Sequence, residues 1–369
     1  MRIRRPSPRR TIGLVATAAT LLLAAAGLPA FAGTVAAGTG TAAGTGVYAP
    51  LDRPGPPLTV PAAQLQASLT CQPSVRNAAV EPVLLNPATG VTVAQNFSWN
   101  WEPALTRLGI PWCTYDAPQH TLGDIQTSGQ YLVHAIRTMH QLAGRPIAVM
   151  GHSQGGMSMR WALRFWPDTR AMVDDVIGFS GSNHGTAMLT PGLCSLGCEP
   201  ASWQQGAGSQ FIQALNSGAE TFAGISYTEI WTHTDEVVTP NGDAGTASAA
   251  LRTGAGQTAN VPTQGICPLD VYEHLSVGTV DPVAYALAVD ALTHAGPANP
   301  GRISRAACFQ LFMPGVTPVT AATGLSILAG APGLLSVTSP VSLVGVPTVK
   351  AEPALACYAY ATPRRGCAA

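Results

Sequence analysis

Three residues of this chain have the types and the order needed to break an acyl bond: Ser153, Asp235 and His274. A serine hydroxyl is a weak nucleophile until a base takes its proton. A neutral imidazole can do this, and a carboxylate then holds the ring and stabilises its cation. Ser153 sits in Gly151-His152-Ser153-Gln154-Gly155, a G-x-S-x-G spacing that sets a serine at the apex of a sharp turn. Neighbours compete for the other two roles. Glu236 could replace Asp235, and His233 or His294 could replace His274. His184, near the end of another apolar run, could also approach the serine.

These side chains need a scaffold that brings distant segments together. Ile147 to Met150 reads as a buried strand, and Met157 to Trp166 reads as an amphipathic helix, so the serine turn joins strand to helix. Further strands are expected at the apolar run ending near Asn86, at Trp112–Tyr115, at Asp174–Ser180, from Tyr227, and over Val261–Cys267. Helices are expected over Ser128–Leu142 and Pro282–Thr293, with His134 and His140 as ordinary helix histidines. Strands alternating with helices imply an α/β fold with a mostly parallel sheet. Enzymes of the α/β-hydrolase fold carry nucleophile, acid and histidine in that chain order on loops beyond strands. In the same fold a loop after an early strand supplies a backbone N–H to the oxyanion hole, which nominates Thr89 beside Gly90.

The 369 residues carry no net charge and only 10% are charged, which gives no reason to expect a nucleic-acid partner or an anionic membrane. Arg2, Arg4, Arg5, Arg9 and Arg10 precede an apolar run from Ile12 to Leu28 and a small-residue exit at Ala30-Phe31-Ala32. That is the pattern of a cleaved export signal over 1–32, and Arg9-Arg10 resembles a twin-arginine signal. Residues 33–68, rich in Gly, Ala, Thr and Pro, read as a flexible leader. The catalytic domain is expected over 69–314 and a C-terminal extension packed on it over 315–369. The extension is too broken by Pro and Gly to span a membrane. All eight cysteines follow the export signal, an even number that suggests four disulfides in an oxidising compartment. Cys194/Cys198 and Cys357/Cys367 are close enough for local bridges. Zinc at Cys194/Cys198 is not expected, because no nearby Cys-His set completes a tetrahedral site.

Several motifs together resemble the Candida antarctica lipase B family: Leu69-Thr70-Cys71-Gln72, Val83-Leu84-Leu85 with Pro87-x-Thr89-Gly90, Trp203-Gln204-Gln205, Thr234-Asp235-Glu236-Val237-Val238, and the run from Gln264 through Cys267 to His274. The resemblance covers roughly Leu69 to Cys308, with a looser tail. It implies an α/β hydrolase acting on carboxylic esters without a cofactor. It implies Ser153 as nucleophile, Asp235 as acid and His274 as base. Thr89, through backbone and hydroxyl, and Gln154, through backbone N–H, would be the oxyanion donors. It also implies disulfides Cys71–Cys113, Cys267–Cys308 and Cys357–Cys367, leaving Cys194–Cys198 as the fourth. The chain departs from the pattern at several points. Cys113 falls one residue late, Cys194 and Cys198 have no counterpart, and the last cysteine loop is shorter. Ser182 stands where the family has an acidic residue, and Gly151-His152-Ser153 looks more like ordinary bacterial lipases than the fungal Thr-Trp-Ser.

The expectation is a secreted, monomeric serine ester hydrolase, either a triacylglycerol lipase or a carboxylesterase. It would act on lipids or small esters, including at a lipid–water interface, with no metal and no stable membrane anchor. Transfer of the acyl group to an alcohol, such as an envelope lipid, uses the same intermediate and stays open. A non-catalytic secreted binding protein on the same fold is the remaining alternative.

Overall fold

The computed structural model describes residues 47–337 and 341–368. The expected export signal at 1–32 and the leader up to residue 46 lie outside the described residues. The strands are β1 Leu69–Cys71, β2 Val83–Asn86, β3 Trp112–Tyr115, β4 Ile147–His152, β5 Val173–Phe179, β6 Ser226–Trp231 and β7 Gln257–Pro262. The helices are α1 Ala62–Ala67, α2 Val93–Phe97, α3 Trp101–Leu108, α4 Ile125–Ala143, α5 Gln154–Phe165, α6 Pro200–Gln204, α7 Gln210–Leu215, α8 His274–Val277, α9 Pro282–Thr293, α10 Pro318–Ala329 and α11 Pro332–Ser336.

The strands form one sheet in the order β1-β3-β2-β4-β5-β6-β7, parallel throughout except for β1, which runs antiparallel to β3. β4 is therefore central, with helices on both faces. Alternation along the strands divides the core. Leu84, Val149 and Val176 pack with α4 and α5, whereas Leu85, Met150 and Ile177 pack with α3 and α9. Both faces are apolar because both are covered, which is why β4 reads as a continuous hydrophobic run instead of an alternating one. At the start of α4, Asp124 accepts from the Gln126 N–H at 2.9 Å. Gly144 ends the helix in a left-handed conformation, φ 69°.

Three expectations change. The leader does not run free to residue 68. Ala49 and Leu65 are buried, the Arg164 guanidinium donates to the Ala49 carbonyl at 2.5 Å, and the Trp166 indole donates to the Pro56 carbonyl at 2.9 Å. The segment packs because its backbone carbonyls answer buried donors on α5 and on Trp166 just beyond it, a signal that its composition does not carry. The last strand is Gln257–Pro262, earlier than Val261–Cys267. It pairs only with β6 at the sheet edge, so it can be polar and lacks the apolar run that marks a buried strand. The irregular stretch from 190 to 220 contains α6 and α7.

Disulfides join Cys71 to Cys113, Cys194 to Cys198, Cys267 to Cys308 and Cys357 to Cys367. The first ties β1 to β3. The second closes a small loop whose Cys198 exchanges both backbone hydrogen bonds with Val349, so it clips the C-terminal extension to the domain. That extension carries α10 and α11 back over the loop beyond β2, where the Gly90 and Gly333 backbones meet so closely that a Cβ on either would overlap the other.

Candidate active site

Ser153 joins β4 to α5 with φ 56° and ψ −123°, a strained conformation for a residue with a side chain. The turn closes because Gly151 and Gly155 lack side chains: a Cβ on Gly151 would overlap the Gly155 backbone, and one on Gly155 would overlap that of Asn86. The Ser153 N–H is held by the Phe179 carbonyl at 2.8 Å. The hydroxyl is thereby fixed beyond the C-terminal end of the central strand, the position where parallel sheets commonly bind ligands.

Two distant loops reach it. The His274 Nε2 lies 3.0 Å from Ser153 Oγ, and its Nδ1 lies 2.9 Å from Asp235 Oδ2. All three residues are buried. The carboxylate can only accept, so Nδ1 carries the imidazole proton and Nε2 is left to accept from the serine. The other oxygen of Asp235 accepts from the Val237 and Val238 N–H groups at 2.9 and 2.8 Å, which fixes the acid's orientation. Burial alone would lower the His274 pKa. The charge and hydrogen bond of Asp235, with smaller contributions from Glu236 and Glu273, carry it above the ordinary 6.5. Burial pushes the Asp235 carboxyl up, but His274 beside it holds the net value below the ordinary 3.8.

None of the competing residues takes these positions. Glu236 reaches only the His274 backbone N–H, at 3.4 Å. His294 bonds the Asp290 carbonyl at 3.1 Å, and the His233 N–H donates to Gln264 at 2.9 Å. His184 does not approach the serine: it contacts the Ser248 carbonyl at 2.9 Å and Arg252 at 2.8 Å.

Thr89 and Gln154 flank the same cavity floor. Gln154 is the first residue of α5, so its N–H has no carbonyl a turn earlier to bond. The Thr89 N–H has no acceptor among the described residues. The loop is braced from three sides. The Gln154 side chain donates to the Thr121 carbonyl at 3.0 Å and to the Thr89 hydroxyl at 3.3 Å. Gln205 donates to the same hydroxyl at 3.0 Å. The Thr121 hydroxyl donates to the Ala88 carbonyl at 2.8 Å, from a run, Gln119 to Thr121, that has positive φ at all three residues. Sequence reasoning did not assign roles to Gln205 or Thr121. Gln205 did stand in a motif of the resemblance, which was the available signal.

Above this floor opens a cavity of about 250 Å³ that reaches Ser153 and His274, with walls from Met188, Leu189, Leu275, Leu334 and Val337. Ser182, Thr186, Gln205 and Glu236 add polar lining, and Ser182 donates to Gln205 at 3.0 Å. A larger cavity of about 390 Å³ lies beside the Cys267–Cys308 disulfide, away from Ser153. Among the described residues no cluster of His, Cys, Asp and Glu could hold a metal ion. The arrangement can move a proton from Ser153 to His274 beside a largely apolar cavity with two backbone donors nearby.

A mostly parallel sheet with a strained serine turn beyond its central strand, and with acid and histidine on loops beyond later strands, defines an α/β hydrolase. Comparison with known proteins narrows this. The family model for lipase (class 2) matches residues 130–275. Lipase B of Pseudozyma antarctica is 30% identical over 318 residues, covering 85% of this chain and 89% of that protein. The crystal structure of Aspergillus fumigatus lipase B matches with a TM-score of 0.70 at 33% identity, over 82% of this chain and 73% of the other. The chain belongs to the lipase B family of carboxylic ester hydrolases.

Proposed function

We propose that this protein is an exported serine ester hydrolase that works through an acyl-enzyme on Ser153, with lipids or small esters as substrates. The observation that carries the reading is the chain of two hydrogen bonds, Ser153 to His274 at 3.0 Å and His274 to Asp235 at 2.9 Å, at the floor of an apolar cavity. Ser153 Oγ adds to the ester carbonyl carbon while its proton passes to His274 Nε2. Asp235 stabilises the resulting imidazolium. The carbonyl oxygen becomes an oxyanion held by the N–H groups of Thr89 and Gln154. The Thr89 hydroxyl already accepts from two side-chain amides, and among the described residues its own proton has only Gln205 Oε1, at 3.4 Å, as an acceptor. A developing oxyanion would outcompete that long bond. The bond to the alcohol then breaks and His274 returns the proton to the leaving oxygen. Water repeats the sequence on the acyl-enzyme, releasing the acid and restoring Ser153.

Four disulfides and the basic, apolar, small-residue order of the first 32 residues support export. Ser153→Ala is the direct test of the chemistry. The variant should fold with the same thermal midpoint and lose hydrolysis of a nitrophenyl ester, whereas undiminished turnover would refute the reading. Export is tested separately by sequencing the mature N-terminus, which should begin at Gly33.

A further inference from the structure

His152 stands between Gly151 and the nucleophile, and its imidazole is fully buried. Its Nε2 lies 2.8 Å from the backbone carbonyl of His274. A carbonyl can only accept, so Nε2 carries the proton and Nδ1 must accept. The group facing Nδ1, at 3.3 Å, is the Asn96 amide nitrogen. The orientation of that amide is fixed independently, because its oxygen accepts from the Ala88 N–H at 2.9 Å. Ala88 directly precedes Thr89.

The result is an unbroken relay of three hydrogen bonds. The Ala88 N–H donates to Asn96, Asn96 donates to His152, and His152 donates to the His274 carbonyl. All the donors run in one sense, so each bond polarises the next. The relay joins two loops that are remote in sequence, one bearing Thr89 and the other bearing His274, through the residue beside Ser153. Burial, then the neighbouring His274, drive the His152 pKa down to about 3, so the ring stays neutral wherever His274 titrates. Neutrality suits the geometry. A second ring proton would face the Asn96 NH₂ group, donor to donor. It would also set a cation with its ring centre 5.2 Å from that of His274.

We propose that His152 is a positioning residue for ester hydrolysis, which as a neutral, Nε2-protonated imidazole locks the His274 backbone to the Thr89 loop and keeps base, nucleophile and oxyanion donors in register. The inference rests on the roles proposed above for Ser153, His274 and Thr89. It goes beyond them because no step of that chemistry uses His152. A side chain that merely filled the core would affect stability but not turnover per active site.

The test compares H152F, H152Q and N96D with the parent and with S153A, all as full mature chains; active sites are titrated by a fluorophosphonate in the proteins that keep Ser153, and S153A is normalised to folded protein. H152F keeps a planar ring but loses both hydrogen bonds. H152Q keeps an N–H that can reach the His274 carbonyl. N96D keeps the acceptor for Ala88 and the side-chain size, but removes the donor to His152. Misplacing reacting groups by about 1 Å can cost on the order of 100-fold in rate. H152F should therefore lose about 10- to 100-fold in kcat, with KM changed by less than about threefold. Its acid limb in kcat/KM should move to lower pH as the Asp235–His274 alignment loosens. H152Q should regain part of the lost kcat at a similar thermal midpoint, and N96D should fall between H152F and the parent. N96D serves as the measurement if H152F does not fold. An active S153A would overturn the underlying reading and this inference with it. An inactive S153A alongside parental kcat and pH profile in the folded His152 and Asn96 variants would overturn this inference alone.

Discussion

Gln205 donates its side-chain N–H to the Thr89 hydroxyl at 3.0 Å while its oxygen accepts from Ser182 at 3.0 Å, so a residue of α6's C-terminal edge braces the loop beyond β2 across 116 positions of sequence. If Thr89 binds the oxyanion, Gln205 sets where its hydroxyl points. Gln205→Leu should lower kcat about tenfold with little change in KM, while Thr89→Val, which keeps the N–H but loses the hydroxyl, should approach the roughly 100-fold expected for one oxyanion donor. Because both act through one hydroxyl, the double variant should be little worse than Thr89→Val alone. Steady-state kinetics on the four proteins check this, and additive losses would separate the two residues.

The acid limb of activity has a defined sign. On the proposed mechanism acylation needs neutral His274, whose pKa is raised above the ordinary 6.5 by Asp235. The kcat/KM profile should therefore fall as pH drops through a midpoint above 6.5. Asp235→Asn should preserve the fold but cost on the order of 10⁴ in kcat, because the amide favours the wrong imidazole tautomer. Glu236→Gln removes a nearby negative charge that raises the His274 pKa less than Asp235 does, together with a 3.4 Å contact to the His274 backbone, so it should move the limb slightly to lower pH and leave kcat within about threefold. A pH–rate series on the three proteins distinguishes the neighbouring carboxylates.

Stability should carry a separate pH signature. Glu229 on β6 is fully buried, and desolvation carries its pKa from 4.5 up to about 8 against the opposing pull of Arg160. The folded state thus holds a proton that the unfolded chain has lost. This contribution to stability is complete below about pH 4.5 and is lost as pH rises through about 8. Glu229→Gln should flatten the decline in denaturation midpoint between pH 5 and 9. An unchanged slope in urea titrations with disulfides intact would show that the carboxyl ionises freely.

The cavity wall offers a test of substrate fit. Leu334 of α11 and Val337 just beyond it form part of the apolar wall above Ser153. Leu334→Trp should narrow that wall, so kcat/KM should fall at least about tenfold more for a long-chain ester than for an acetate, as loss of pocket space for several methylenes would require. Equal losses across nitrophenyl acetate, butyrate and palmitate would remove Leu334 from the acyl path.

The parts legible in the sequence were those in which local pattern and global role coincide. Ile147 to Met150 is apolar because both sheet faces are covered, and the glycines around Ser153 are required by the turn, so strand, elbow and helix could all be read. The order of Asp235 and His274 followed from the fold. The bracing polar residues were not legible. Asn96, Thr121 and Gln205 are single hydrogen-bonding side chains whose importance comes from partners dozens of residues away, and no periodicity marks them. Asn96-Phe97-Ser98 has the spacing of an N-glycosylation acceptor, a pattern of surface loops, yet Asn96 is fully buried. β7 was misjudged because an edge strand need not be apolar, and the packing of residues 47–68 depends on donors from α5 that composition does not reveal.

The central claim is a covalent acyl group on Ser153. Mixing the mature protein with nitrophenyl butyrate, quenching in acid within the first turnover and mapping peptides by mass should reveal one butyryl group on the peptide containing Ser153, absent from S153A. Turnover by S153A at the parental rate, or acylation at any residue other than Ser153, would contradict the account.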